Sequence, residues 1–415
     1  MRIAIVGTGI AGLTAAHHLG RRHELTLFEA GGWVGGHTHT VDVTVDGRPF
    51  AVDTGFIVFN HANYPLFNAL IDELGVPSQP TSMSFSVRSD RTGLEYGSAS
   101  LDTVFADRRN LIRPGFLGML NDIRRFHRKA AKESLPADRE TVARYVAERG
   151  YGQDFLDHYL VPLGSSLWSS PPQQFLQFPM RFVIEFLGNH RMLQMGGQPV
   201  WRVVVGGSKR YVEKITRGLD DRIHLNMGVR RIERRAGDVR LVDAGGNEST
   251  FDHVVVACHA DQALSMLADP TPVERELLGM FPYQRNDIVL HTDPSVLPKN
   301  PRAWSSWNYH VPAETRDAVS VTYNMNRLQN LAAETPINVT LNDAGTVRDE
   351  HVLGRFVYEH PVFIPGRDTA QRRHRELAAA HRTSFCGAYW GFGFHEDGVR
   401  SGTAVARAIE ERASR

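Results

Sequence analysis

Hydrophobic and polar positions along this chain fall into a few distinct periods. Ile3, Ala4, Ile5 and Val6 form a short apolar run without polar alternation, the pattern of a strand buried on both faces. Beyond Gly7-Thr8-Gly9-Ile10-Ala11-Gly12, apolar positions at Leu13, Ala15, Ala16 and Leu19 follow helical spacing. Leu25-Thr26-Leu27-Phe28 then predicts a second strand, ending at Glu29. Ile223-His224-Leu225 and Gly228-Val229-Arg230-Arg231-Ile232 predict paired strands, and Phe251-Asp252-His253-Val254-Val255-Val256-Ala257-Cys258 a further buried strand with a polar lead-in. Thr383-Ser384-Phe385-Cys386-Gly387-Ala388-Tyr389 predicts a strand closed by glycine. A loop from Gly391 to Gly402 and a helix through Ala404, Val405, Ala408 and Ile409 follow it. Midway, Leu117, Leu120, Ile123, Phe126 and Ala130 recur at helical spacing, with Arg124, Arg125, Arg128, Lys129 and Lys132 on the other faces. Such a basic amphipathic helix either lies on an anionic membrane surface or packs its apolar stripe on the protein.

The order strand, glycine turn, helix, strand, acid has a physical meaning. Gly7 permits the tight turn, Gly9 lets a pyrophosphate approach the backbone, and Gly12 lets helix and strand pack closely. Free amides at the helix start, around Ile10 and Ala11, hold phosphate, and Glu29 accepts hydrogen bonds from ribose hydroxyls. An ordinary glycine-rich turn would need neither the acid nor the flanking strands. This fingerprint predicts a bound dinucleotide but serves NAD and FAD alike.

Composition narrows the setting. A chain of 415 residues is too long for one simple core, which predicts two intertwined domains. Its 47 basic and 46 acidic side chains nearly cancel, which argues against a nucleic-acid partner. Cys258 and Cys386 are the only cysteines, so neither a disulfide framework nor a thiolate metal site is expected, and a reducing cytoplasm fits. His37 and His39 have a spacing compatible with metal ligation, but no cysteine or acidic cluster accompanies them, so no metal is expected. The apolar start superficially looks like a signal peptide, yet Gly7, Gly9 and Gly12 interrupt it. No apolar run reaches the roughly 18 residues a spanning helix needs. Asn338-Val339-Thr340 matches a glycosylation sequon and is read as chance in a cytoplasmic protein.

Several stretches together resemble the flavin amine oxidase and carotenoid desaturase superfamily. They are Ala30-Gly31-Gly32-Trp33-Val34-Gly35-Gly36-His37-Thr38, the Asp53-Thr54-Gly55-Phe56-Ile57 segment, and Gly391-Phe392-Gly393-Phe394-His395-Glu396-Asp397-Gly398-Val399. The resemblance implies FAD rather than NAD. It implies an α/β fold with a Rossmann-like FAD-binding domain of the glutathione-reductase type and an interleaved α+β substrate-binding domain. The FAD domain is expected over 1–80, 200–280 and 376–415, and the substrate domain over 81–199 and 281–375, helical in 100–195 and strand-rich in 286–365. Residues implied around FAD are Ala30, Gly35, Gly36, His37 (where many relatives carry Arg) and Thr38, with Gly55, Phe56 and Ile57 beside the isoalloxazine. Val229 near the adenine, Ala257, Gly387, Asp397 at the ribityl chain, and Gly398 and Val399 of the same loop complete the set.

Finer wording points to a narrower group. Trp201-Arg202-Val203-Val204-Val205-Gly206-Gly207-Ser208, Ser306-Trp307-Asn308-Tyr309 and Thr322-Tyr323-Asn324-Met325-Asn326-Arg327-Leu328-Gln329 resemble flavoproteins encoded beside cyclopropane-fatty-acid-synthase-like methyltransferases. That resemblance implies desaturation of a methyl-branched fatty acyl or phospholipid substrate, which the basic amphipathic helix would meet at the inner membrane surface, and a lipid methyltransferase as partner. Amine oxidation and a non-catalytic flavin-binding role are the competing readings. His395 and Glu396 could supply a base at the flavin edge or only shape the loop. Asn308 and Tyr323 could line a substrate pocket, or they could lie in a sheet core. Lys209 and Lys299 are the candidates for the lysine that amine oxidases place near the flavin.

Overall fold

The computed structural model describes residues 1–415 except 133, 138, 195, 196, 198, 315–319, 344, 365, 379 and 415. Its first sheet is five-stranded, in the order Ile223–His224, Glu24–Phe28, Arg2–Val6, His253–Val256, Thr383–Phe385. Every pairing in it is parallel. Chain order therefore reverses on either side of the first strand, the arrangement that opens a crevice at the strands' carboxyl ends. Alternate residues serve opposite faces. Ile3, Ile5 and Val255 join the cluster that includes Leu13, Ala16 and Val405. Ala4, Val6, Val254 and Val256 join a second cluster with Ala263, Leu277 and Phe385. Burial on both faces is why these strands read as unbroken apolar runs.

Two expectations need correcting. The segments at 223 and 229 do not pair with each other. Ile223–His224 joins the parallel sheet, whereas Val229–Arg234 pairs with Val239–Asp243 in a three-stranded antiparallel sheet. The linker cannot fold back because its amides are engaged elsewhere: Asn226 N donates to Gly31 O and Met227 N to Glu29 O. The loop expected from Gly391 to Gly402 is helical over much of its length, since the last helix is His395–Ala413. Gly398 and Gly402 are therefore helix positions, one turn apart. A Cβ at Gly398 would lie 2.5 Å from Ile10 Cγ2, and one at Gly402 would lie 2.4 Å from Ala11 O. Glycine is required there because this helix rests directly on the helix Ile10–Leu19.

A third apolar cluster is built around another sheet. A seven-stranded sheet runs Val352–Pro361, Tyr283–His291, Asn338–Leu341, Ser320–Asn324, Trp307–Val311, Phe85–Ser89, Leu94–Gly97. All its pairings are antiparallel except that of Trp307–Val311 with Phe85–Ser89. Helices between residues 101 and 189 pack beside it and share its apolar core. In the helix Pro114–Ala130, Phe116, Met119 and Phe126 are buried, and Leu120, Ile123 and Ala130 pack against the same core. The apolar stripe read from the sequence thus faces the protein from Leu120 onward, whereas Leu117 is exposed. Among the described residues no helix is long and apolar enough to cross a membrane.

Candidate functional site

Three glycine-bearing segments converge at the carboxyl end of the first strand. Gly7 adopts φ +99°, and a Cβ there would sit 2.9 Å from Ala257 O. A Cβ at Gly12 would sit 2.1 Å from Gly7 O, so helix and strand are in direct backbone contact. Gly9 differs: its absent Cβ has nothing within 4 Å. Gly9 is the N-cap of the helix Ile10–Leu19, and no side chain caps it. The helix start, with Ile10 and Ala11, therefore presents backbone amides and open space together, the requirements for a phosphate.

Glu29 follows directly on the second strand. Its Oε2 accepts from Thr8 N at 3.0 Å and Thr8 Oγ1 at 2.6 Å, and its Oε1 accepts from Gly31 N at 2.9 Å. The carboxylate thereby ties the first turn to the second glycine loop. There Gly35 and Gly36 take φ +125° and +59°, and a Cβ on Gly36 would meet Gly9 Cα at 3.0 Å. A second backbone segment lies against the first cradle. Ala30 touches the site from its outer side, where a Cβ on Gly228 would meet Ala30 Cβ at 3.2 Å. Val229 begins the antiparallel strand next to it.

His37 is half-buried, and its buried Nε2 has no hydrogen-bond partner. Its ring centroid lies 5.2 Å from that of Tyr358, 5.3 Å from His360 and 6.1 Å from His259. Burial, reinforced by the neighbouring histidines, holds its pKa well below the ordinary imidazole value. Burial likewise lowers His360 to about 4. Among the described residues no group of three or more His, Cys, Asp or Glu is arranged to hold a metal ion. A Cβ on Gly55 would meet His37 O at 2.2 Å, and Phe56 N donates to that oxygen at 2.8 Å. This brings the Gly55-Phe56-Ile57 segment alongside the glycine loops.

His395 joins this assembly from the last helix. Its Nε2 lies 2.9 Å from Tyr211 Oη and 3.1 Å from Thr38 Oγ1, and its ring stacks on Phe56 with centroids 3.4 Å apart. Burial lowers its pKa to about 3. Glu396 turns away: its oxygens accept from Leu66 N at 3.0 Å and Phe67 N at 2.9 Å, capping the helix Pro65–Glu73. Its pKa is raised by partial burial. Both groups are engaged by the framework, so neither is presented as a base. Asp397 accepts from Phe394 N at 3.1 Å and pairs with Arg400, directly beneath Gly391. Gly398 and Val399 contact the nucleotide-side helix and core, and Gly387 N donates to Ser401 Oγ at 3.0 Å.

Asn308 is corrected to a framework residue. Its Oδ1 accepts from Ser86 Oγ and Ser305 N, and its Nδ2 donates to Ser305 O and Thr322 O, all within 3.1 Å. Its hydrogen-bonding capacity is consumed inside the seven-stranded sheet. Tyr323 lies one strand over, edge-on to Trp307 with centroids 5.2 Å apart. Lys209 Nζ pairs with Asp42 at 2.5 Å, and Lys299 lines a polar cleft with Arg88 and Glu95.

Sequence reasoning missed two buried groups here. Asp53 accepts from Thr40 Oγ1 at 2.5 Å, Ser208 Oγ at 2.7 Å and Gln329 Nε2 at 2.9 Å. Burial raises its pKa to about 6. It joins three segments that the sequence had marked separately: the Asp-x-Gly stretch, Gly206-Gly207-Ser208 and the stretch ending at Gln329. Arg367 had no distinguishing signal in an arginine-rich stretch. It is buried, with Nη2 donating to Tyr389 O at 3.0 Å and Gly391 O at 3.3 Å, and its guanidinium lies 3.6 Å from the centroid of Phe363. Burial lowers its pKa to about 9.

Beside Arg367 lies an aromatic shelf, buried at Trp168, Phe186 and Phe363 and half-buried at Phe182, Phe392 and Phe394. Phe182 stands 4.5 Å from Phe363, 5.3 Å from Phe392 and 5.2 Å from Trp168, and Phe186 stands 5.1 Å from Phe394, centroid to centroid. The shelf adjoins the turn that opens the last helix.

The residues present fit FAD. The open space at Gly9, the uncapped helix start, the second glycine pair against it and the buried, unpartnered Nε2 of half-buried His37 suit a diphosphate between two backbone cradles. The start of a long helix, His395–Ala413, reaches the same region and suits the negative charge of a reduced ring.

Comparison with known proteins agrees. The model of the family described as flavin containing amine oxidoreductase matches residues 10–410. A Mycobacterium tuberculosis protein described as a flavin-containing monoamine oxidase is 27% identical over 302 residues, covering 68% of this chain and 63% of that protein. The chain therefore spans less than two thirds of that relative's length. A zeta-carotene desaturase of Synechocystis is 41% identical over 76 residues, covering 18% of this chain and 15% of that one. Cyclohexylamine oxidase from Brevibacterium oxydans has a similar fold, with TM-score 0.70 and 18% identity over 100% of this chain and 99% of that one. With its parallel sheet, converging glycine loops and nearly full-length match, the chain belongs to the flavin-containing amine oxidoreductase family, with FAD as its cofactor.

Proposed function

We propose that this protein is an FAD-dependent oxidoreductase that desaturates a methyl-branched, unsaturated fatty acyl chain. The observation that carries the reading is the aromatic shelf of Phe182, Phe363, Phe392 and Trp168, set against the turn that opens the last helix. Aromatic rings grip a hydrocarbon chain by contact area and exclude water from it. Bound FAD supplies a two-electron acceptor for hydride. The substrate gives up a hydride from an allylic C–H and a proton from the neighbouring carbon, which passes to water, and a conjugated double bond remains. Molecular oxygen or another acceptor takes the electrons onward.

In this reading the glycine loops and Glu29 bind the dinucleotide. The Thr38–Tyr211–His395 cluster, with Phe56, would form part of the wall that holds the cofactor. Arg367 anchors the Tyr389–Gly391 backbone, which orients the shelf. The resemblance to flavoproteins encoded beside lipid methyltransferases supports a substrate already methylated on its acyl chain. A second reading, amine oxidation, is favoured by the likeness to the mycobacterial protein described as a monoamine oxidase. Anaerobic mixing decides between them. Bleaching of the flavin bands by methyl-branched unsaturated phospholipid supports desaturation. Persistent bands with that lipid, together with bleaching and peroxide release with amines, replace it by the second reading.

A further inference from the structure

The helix Pro114–Ala130 packs its apolar stripe on the protein from Leu120 onward, which leaves unexplained the side chains exposed at and before its start. Ile112 is 82% exposed, Leu101 79%, Leu111 52% and Leu117 43%. Four large aliphatic side chains left in water within one short stretch mark an interaction surface.

This stretch is a built tip. The short helix Leu101–Val104 is tied to the following 3-10 turn Arg108–Ile112 by an Asp102–Arg108 ion pair and by Arg108 Nη1 donating to Phe105 O at 2.8 Å. Phe105 packs 5.9 Å from Phe116, and Asn110 Nδ2 donates to Glu95 O at 3.0 Å. The tip is thus held firmly while its aliphatic side chains point outward.

Charge decides what covers it. Residues 101–132 carry eight arginines and lysines against three aspartates, a surplus of five in a chain whose whole net charge is +1. Leu117, Arg124 and Arg128 follow one another at helical spacing along the exposed side of the helix, opposite Phe116, Met119 and Phe126, and exposed Lys132 lies just past its end. Aliphatic prongs at one end and a basic stripe leading from them match a bilayer whose apolar interior lies under anionic headgroups. The neighbouring cleft of ≈ 640 Å³, with Arg88, Lys299 and Glu95 in its lining, is polar and would take water or a headgroup.

We propose that the tip of residues 101–117, with the basic stripe of Arg124, Arg128 and Lys132, docks this protein on an anionic lipid surface. This deepens the lipid reading and rests on it for its purpose, yet it is measured without turnover. The Phe116 and Phe126 side of the docking helix belongs to the same apolar core as Trp168 and Phe363, so the docked surface and the shelf share one packed unit.

The experiment is flotation of the FAD-loaded protein with vesicles of equal parts phosphatidylglycerol and phosphatidylcholine, against phosphatidylcholine alone. The protein is expected to float with the anionic vesicles and to be released by salt. Leu111→Ser with Ile112→Ser should lower partition at least about tenfold. Arg124→Gln, Arg128→Gln and Lys132→Gln together should lower it on the order of a hundredfold at low salt, about fivefold per charge. Every substituted residue is exposed, and melting temperatures matching the parent's check that the fold is intact. Absence of flotation, equal partition of parent and variants, or conversion of a dimer to a monomer by the serine pair would overturn the proposal, the last by making a second copy the occupant. A protein that floats but whose flavin no lipid bleaches keeps this surface and loses the desaturase reading.

Discussion

Gly9 and Gly12 belong to one motif, yet the structure assigns them opposite consequences. A methyl group at Gly12 would stand 2.1 Å from Gly7 O and 3.1 Å from Ala257 Cβ, where ordinary contact begins at 3.4 Å. The first obstacle is backbone, so the helix must move off the strand by more than an ångström. Overpacking of that kind costs about 1–3 kcal/mol and more when no side chain can yield. Gly12→Ala should therefore lower the melting temperature of the FAD-free protein. A side chain at Gly9 meets nothing within 4 Å, and the residue's φ of −65° suits any L-residue. Gly9→Val should change FAD-free stability by no more than about 1 kcal/mol, the loss of a favourable N-cap. Its isopropyl group, however, fills the space through which a phosphate reaches the helix amides. Losing one charge-assisted hydrogen bond costs about 1.5–3 kcal/mol, and each 1.4 kcal/mol or so is tenfold in affinity. FAD titration followed by quenching of flavin fluorescence should show Kd raised roughly tenfold to a hundredfold for Gly9→Val. Parent-like FAD affinity in a folded Gly9→Val protein would refute the phosphate cradle, and parent-like melting of Gly12→Ala would refute the packing argument.

Other outcomes follow from the buried polar groups. His253, His291 and His360 have folded values lowered to about 4 and His395 to about 3, against 6.5 unfolded, so the native state holds them neutral. The unfolded chain takes up protons first as pH falls, and stability should drop from about pH 6.5 toward 4 by about 1–3 kcal/mol per histidine. Asp53, raised to about 6, and Glu396 and Asp397, also raised, work the other way, their contributions being present at low pH and lost as pH rises, but the lowered histidines, which include His127 at about 4, outnumber them. Melting temperatures that stay level between pH 7 and 4.5 would contradict this. Glu396→Gln keeps an acceptor for the 65–73 helix but loses its charge, and should cost about 1 kcal/mol with turnover within about threefold; a loss of two or more orders of magnitude in turnover would return Glu396 to the chemistry. Arg367→Met removes the buried donors to Tyr389 O and Gly391 O, and chemical denaturation should register about 2–4 kcal/mol of lost stability; no change would mean that Gln371, which donates to the same two oxygens, holds the loop by itself.

The nucleotide half was legible in the sequence because its determinants are local. A strand buried on both faces must be an apolar run, a backbone at positive φ calls for Gly7, and an acid at the end of the next strand falls at a fixed distance along the chain. The last helix was half legible: Gly398 and Gly402 read as loop, since propensity alone cannot distinguish a glycine that breaks a helix from one that lets two helices touch. The framework roles of Asn308 and Glu396 were hidden for a related reason. Their partners, Ser86 and the amides of Leu66 and Phe67, lie hundreds of residues away in the chain. The same distance hid the meeting of Asp53 with Ser208 and Gln329. The exposed Leu111 and Ile112 look like core residues in a sequence, because hydrophobicity states only what a side chain prefers. Whether that preference is met inside the molecule or left for something outside it is decided when the chain closes on itself and these two stay in water.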